Sequence, residues 1–138
     1  MPGPIAVDSG PLIALFDKDD RYHRKALDFI RGLRSPLVTN HAVVTEVTHL
    51  LDFSVRTQLD FLQWVADGGV SLADITPEDM IHVIDLVRKY ADLPVDYADG
   101  GLVALCDRLK ITNVASVDKH FSVYRTRNGK ALRNVFPL

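Results

Sequence analysis

Cysteine is nearly missing from this chain of 138 residues. The single thiol, Cys106, excludes an intramolecular disulfide and any Cys-based zinc cluster, and it suits a reducing, cytoplasmic setting. Long apolar runs are missing too. None reaches the ~18 residues that suggest a membrane span. Met1-Pro2-Gly3-Pro4 carries no basic or long apolar leader pattern, so neither a signal peptide nor a membrane partner is expected. Repeats and low-complexity segments are absent. The five histidines are scattered with no metal-spaced helical pair, and they read as surface residues. Charge of one sign is not in excess: 16 Lys+Arg face 18 Asp+Glu, a formal net charge of −2, and that sum carries no footprint of nucleic acid. What remains, 47% hydrophobic and 25% charged, is ordinary globular composition, and the length suits one domain over residues 1–138.

Short apolar runs alternate with helical patterns. Ile5-Ala6-Val7 ends abruptly at Asp8 and reads as a buried strand. Ser9 then reads as an N-cap, with Pro11 near the first helical position. A second helix is expected over Asp20–Leu33, a strand over Pro36–Thr39, and a third helix capped by Asn40. A fourth spans about Arg56–Asp67, with Leu59, Leu62, Trp64 and Val65 facing inward, and Gly68-Gly69 ends it. Val70–Ala73 is a weaker strand. Thr76-Pro77-Glu78-Asp79 opens a helix with Ile81, Ile84, Val87 and Tyr90 on one face, and Pro94 breaks the pattern. The last helix runs from about Tyr97 to Leu109. Val114–Val117 is a strand ending on Asp118, and the tail, Ala131–Leu138, offers an edge strand. This alternation predicts an α/β fold with a mostly parallel sheet of four to five strands covered on both faces, and sites beyond the strands' C-terminal ends.

Most of the acids have solvated or capping explanations; four do not. Asp8 ends a buried strand, where an ionised carboxylate is costly unless compensated. Asp118 repeats that arrangement. Glu46 lies between Val44 and Val47 on a side with little polar surface, where a salt bridge to Arg or Lys is the competing explanation. Asp99 sits in the first turn of its helix, where the helix dipole alone would favour it. Asp96, three residues earlier, either shares its face or caps the helix. If the four converge at one sheet edge, they repel and raise one another's pKa. A divalent cation relieves that conflict, and an all-oxygen donor set suits Mg²⁺ or Mn²⁺.

The stretches Val7-Asp8-Ser9, Val44-Thr45-Glu46-Val47, Asp96 to Leu109 and Ser116-Val117-Asp118-Lys119-His120-Phe121, followed by Tyr124-Arg125, occur in an order and spacing that resembles the PIN-domain family. The likeness is greatest to the VapC-like toxins of toxin–antitoxin pairs and covers essentially the whole chain. It implies an α/β/α sandwich and a Mg²⁺- or Mn²⁺-dependent endoribonuclease leaving a 5′-phosphate. The family's acidic quartet falls on Asp8, Glu46, Asp99 and Asp118 as metal ligands, with Glu46 acting through water or as a base. Ser9 and Ser116 would orient carboxylates or waters, and Asp96 is a possible fifth acid. Gly100-Gly101 departs from the family, which more often has Ala there; the pair weakens the helix by ~1 kcal/mol per glycine and permits a close backbone approach.

Substrate phosphates need cations at the rim, and Arg125 in the basic run after Asp118 is the candidate. The resemblance also implies RNA as substrate, a small antitoxin and a homodimer. Leu27, Ile30, Leu50, Leu51, Leu62 and Trp64 would supply the antitoxin groove or the ordinary core. A non-catalytic PIN-like module binding RNA or protein competes with the nuclease. A receiver-type phosphoryl-transfer domain is disfavoured, because Asp8 lacks an adjacent acid. Setting the quartet aside leaves 14 acids against 16 bases, a mildly basic scaffold around an acidic pocket.

Overall fold

The computed structural model describes residues 3–93 and 95–138. Met1, Pro2 and the pattern-breaking Pro94 lie outside them. Five strands form one parallel sheet in the order β3-β2-β1-β4-β5. These are β1 (Ile5–Val7), β2 (Leu37–Thr39), β3 (Ser71–Leu72), β4 (Asn113–Ala115) and β5 (Arg133–Asn134). The helices are α1 (Ser9–Phe16), α2 (His23–Arg31), α3 (His41–Leu50), α4 (Val55–Ala66), α5 (Pro77–Lys89) and α6 (Tyr97–Leu109). No helix among the described residues is long and apolar enough to cross a membrane.

Strand alternation explains the layers. Ile5, Val7, Leu37 and Ala115 point to one face, where they pack with Leu12, Val43, Val47, Leu51 and Phe61. Ala6, Val38 and Val114 point to the other, against Leu102, Val103, Leu105, Phe121 and Tyr124. The sheet is therefore buried on both sides, as parallel sheets are. Cys106 belongs to the second core, and burial pushes its thiol up to about 12, which makes it an inert apolar filler.

Local chemistry sets the helix starts. Asn40 accepts from Val43 N at 2.8 Å, and Thr76 and Asp79 form a reciprocal capping box. Asp96 caps α6 by accepting from Asp99 N at 2.8 Å, which settles its place in favour of the cap.

Several expectations are corrected. Ser9 is not the N-cap of α1. Asp8 holds that position, because its own N–H is tied into the sheet at Ala115 O (2.9 Å) and the helix begins at the next residue. β4 stops at Ala115, two residues short of Val117. The Asn134 side chain takes the next rung instead, accepting from Ser116 N and donating to Ser116 O. Asp118 thus lies beyond the strand, as the cap of a short 3₁₀ turn, Lys119–Ser122. In α4, Phe61 is fully buried while Leu59 and Leu62 face outward. In α5, the row Ile81, Ile84 and Val87 is exposed, whereas Asp79, His82, Val83 and Leu86 are buried against α6. That polar inward face is stable because Arg108 Nε binds the Asp79 carboxylate at 3.1 Å and His82 lies 3.6 Å from Asp107. His82 is therefore not a surface residue. Of the six groove candidates, Leu51 is wholly buried and Trp64 packs edge-on against Phe16, while Leu50 and Leu62 remain exposed.

Candidate active site

The C-terminal edge of the three central strands assembles the acids. β1 runs directly into Asp8, with Val7 paired to Ala115, so Asp8 and Ser116 stand side by side. Ser116 Oγ donates to Asp8 Oδ2 at 3.0 Å and accepts from Asp118 N at 2.9 Å. One buried hydroxyl thereby ties two of the acids together. Ser9, the first residue of α1, donates from Oγ to Glu46 Oε1 at 2.8 Å, across the gap between α1 and α3. β2 ends in Thr39, whose hydroxyl donates to Val7 O at 2.7 Å, and leads into Asn40. Asn40 Nδ2 reaches Ala98 O at 3.4 Å, which links the start of α6, and with it Asp99, to the start of α3.

Close packing at Gly101 sets how near α6 can come. A Cβ there would stand 2.6 Å from Ile75 Cδ1 and 3.1 Å from Asn40 Nδ2. The close approach at Gly101 is therefore to Asn40, at the end of β2, and to Ile75, whereas Gly100 faces Val83 of α5. This bare backbone brings Asp99 to the other acids.

Electrostatics confirm the gathering of charge. Burial, then the charges of Glu46 and Asp118, raise Asp8 to about 6, against the stabilising pull of the Ser9 N–H and the Ser116 hydroxyl. Asp99 is raised further, to about 8, by its burial first and then by Asp8, Asp96, Asp118 and Glu46. Asp8 is only 5% exposed, and its Oδ1 has no hydrogen-bond partner among the described residues. None of the four carboxylates is ion-paired with Lys or Arg among the described residues; Asp118 meets only the His120 ring, at 3.3 Å. The salt-bridge explanation for Glu46 is thereby replaced by its bond to Ser9.

These features fit a hard divalent cation. The donors are all oxygen, no Lys or Arg among the described residues offsets their mutual repulsion, and one buried carboxylate oxygen lacks a partner there. No three acidic, His or Cys side chains among the described residues stand together as a ready-made cage. An ion such as Mg²⁺, which keeps several waters and takes few direct carboxylates, suits such an open set.

The Arg125 guanidinium is held by its own loop. Its Nη1 donates to the backbone oxygens of Ser122, Val123 and Tyr124 at 2.8, 2.9 and 3.1 Å, and it lines a cavity with His82, Lys89 and Arg127. The structure thus gathers Asp8, Ser9, Glu46, Asp96, Asp99, Ser116 and Asp118 around one edge, and Arg125 forms no hydrogen bond or ion pair with them among the described residues. Sequence reasoning overlooked three contributors. The sequence marks Asn40 only as a cap, and Asn134 carries no signal as one of two polar residues in a mostly apolar tail. Tyr124 is fully buried with an unpartnered hydroxyl, and burial together with Asp99, Asp118, Asp96 and Asp8 raises its pKa.

The family model of the PIN domain matches residues 5–126. The chain belongs to the PIN domain family. Among curated proteins, this PIN domain is similar to Ribonuclease VapC26 of Mycobacterium tuberculosis: 29% identical over 128 residues, covering 91% of this chain and 95% of that one. Among solved structures it resembles M. tuberculosis VapC20, described as a Sarcin-Ricin loop cleaving toxin, with a TM-score of 0.79 and 18% identity over 86% of this chain and 93% of that one. It also resembles VapBC2 from Rickettsia felis, solved bound to a DNA fragment from its promoter, with a TM-score of 0.66 and 10% identity over 95% and 98% of the two chains. The PIN domain is thus VapC-like in fold, with the expected α/β architecture.

Proposed function

We propose that this PIN domain is a divalent-metal-dependent endoribonuclease and the toxin of a toxin–antitoxin pair. The observation that carries the reading is the buried Asp8 among Glu46, Asp99 and Asp118, with one oxygen unpartnered and no basic partner among the described residues. Similarity to a ribonuclease over 91% of the chain supports RNA as the substrate. The likeness to VapBC2 is consistent with an antitoxin partner, and a homodimer belongs to the same reading.

Asp8, Asp99 and Asp118 would hold Mg²⁺ or Mn²⁺, directly or through water, with Glu46 acting through water or as a base. The bound cation would neutralise the carboxylates and polarise water and phosphate for hydrolysis. Ser116 holds Asp8 and the start of the Asp118 turn in fixed relation, and Ser9 orients the Glu46 carboxylate. Asp96 fixes the first turn of α6 and adds negative charge beside Asp99.

Purified wild-type protein should cleave RNA in Mg²⁺ or Mn²⁺ but not in EDTA, leaving 5′-phosphate ends. Asp8→Asn and Asp99→Asn should each lower the rate by at least about a hundredfold while remaining folded. Cleavage at the wild-type rate by both variants, with contaminating nuclease excluded, would overturn the assignment. A non-catalytic module that binds RNA or protein is the competing reading. Calorimetric titration with Mg²⁺ separates the two, since the module predicts no binding.

A further inference from the structure

A groove of about 530 Å³ runs beside the acids between α3 and the start of α6, and Glu46 and Asp96 form part of its wall. The rest of the lining includes Thr45, His49 and Tyr97. Tyr97 is the first residue of α6, directly after the Asp96 cap and two before Asp99. Its side chain lies 46% exposed, and its ring stacks on no other aromatic ring and lies under no cation among the described residues. A second hollow of about 390 Å³, lined by His41 and Ile75, shares Ala42, Thr45 and Tyr97 with the first, so Tyr97 borders both.

The lining chemistry selects the occupant. No Lys or Arg borders either hollow, and Glu46, Asp96 and Asp74 border one or the other, so an anionic phosphate is disfavoured there. A flat, uncharged ring is favoured. Aromatic side chains next to a backbone-cleaving centre bind unstacked bases through their faces, and imidazole and hydroxyl groups meet the base edges. His49, one helical turn beyond Glu46, and Thr45 are placed at the groove for that contact.

We propose that this groove is a nucleobase subsite, in which Tyr97 stacks the base of an RNA nucleotide next to the bond held at the acids. This rests on the nuclease reading above. Tyr97 positions substrate; it holds no metal.

The test compares wild type, Tyr97→Ala and Tyr97→Phe by fluorescence anisotropy in Ca²⁺, so that binding is read without turnover. Two labelled probes are used: a short mixed-sequence RNA, and a sugar–phosphate chain of equal length bearing no bases. Tyr97→Ala should bind the base-bearing RNA roughly tenfold more weakly, the loss of one base–aromatic stack. It should bind the abasic chain as wild type does, and Tyr97→Phe should match wild type on both. Mg²⁺ affinity by calorimetry should be unchanged in Tyr97→Ala, which shows an intact acid site. Equal binding of base-bearing RNA by Tyr97→Ala and wild type, or an equal loss on both probes, overturns the subsite. If wild type still degrades total RNA in Mg²⁺, such a result overturns the subsite alone. If wild type neither binds RNA nor degrades it, the nuclease reading fails and the subsite with it.

Discussion

Replacing Asp8 by Asn should make the metal-free protein more stable while destroying its proposed chemistry. Asp8 ionises at about 6 when folded and at 3.8 as an unperturbed side chain. That difference is worth about 3 kcal/mol against the folded state once the carboxyl is ionised in both states. The sign follows from proton counting. Between the two pKa values the folded protein holds a proton that the unfolded chain has released, so stability falls as pH rises from about 4 to about 6. Above that window the full penalty applies, and below it there is none. Asparagine has no charge to bury, and its carbonyl can still accept from Ser116 Oγ, which stands 3.0 Å from Asp8 Oδ2. Its amide brings new donors into a buried site, which offsets roughly 1 kcal/mol. The net gain is then about 2 kcal/mol, or roughly 8 °C in Tm for a chain of this size. Differential scanning calorimetry in EDTA at pH 8 measures it, and repeats down to pH 4 should show the gap closing. Mg²⁺ should then raise the melting temperature of wild type and leave that of Asp8→Asn unchanged. A variant that melts at or below wild type at pH 8, or a gap independent of pH, would refute the account of Asp8 as a strained acid.

Two further substitutions test the surroundings of the site. Gly101→Ala should leave stability within about 1 kcal/mol of wild type, because the helix-propensity gain of Ala is offset by displacing the Ile75 side-chain end, 2.6 Å from the new methyl, and crowding Asn40 Nδ2 at 3.1 Å; urea denaturation showing a gain well above that would contradict the close approach of α6. Tyr124→Phe deletes a buried hydroxyl with no partner and should raise metal-free stability by roughly 1 kcal/mol, whereas a clear loss in thermal melting would mean the hydroxyl is bonded in solution.

How much of this was legible beforehand varies by element. The start of α6 was read correctly at Tyr97 because a strong Asn/Asp-type cap, a first-turn acid and an apolar run all agree. The α5 face was misread because Ile81, Ile84 and Val87 satisfy helical spacing, while the buried His82 and Asp79 are compensated by Asp107 and Arg108, some 25 to 30 positions away in sequence. The end of β4 was misread for a similar reason. The Asn134 side chain imitates a strand neighbour, and no local pattern announces it.

Composition and pattern alone determined the alternating strands and helices, the caps Asn40 and Thr76, and four acids that lacked a local explanation. Those are short-range properties, set by backbone sterics, capping hydrogen bonds and the cost of burying charge. Only the tertiary structure decided that the acids meet. It joined Ser9 to Glu46 and Ser116 to Asp8, let α6 slide in over Gly101, and tied the Arg125 guanidinium to backbone carbonyls of its own loop. The shared field at Asp8 and Asp99 depends on distances between segments up to about a hundred residues apart, and only packing fixes such distances.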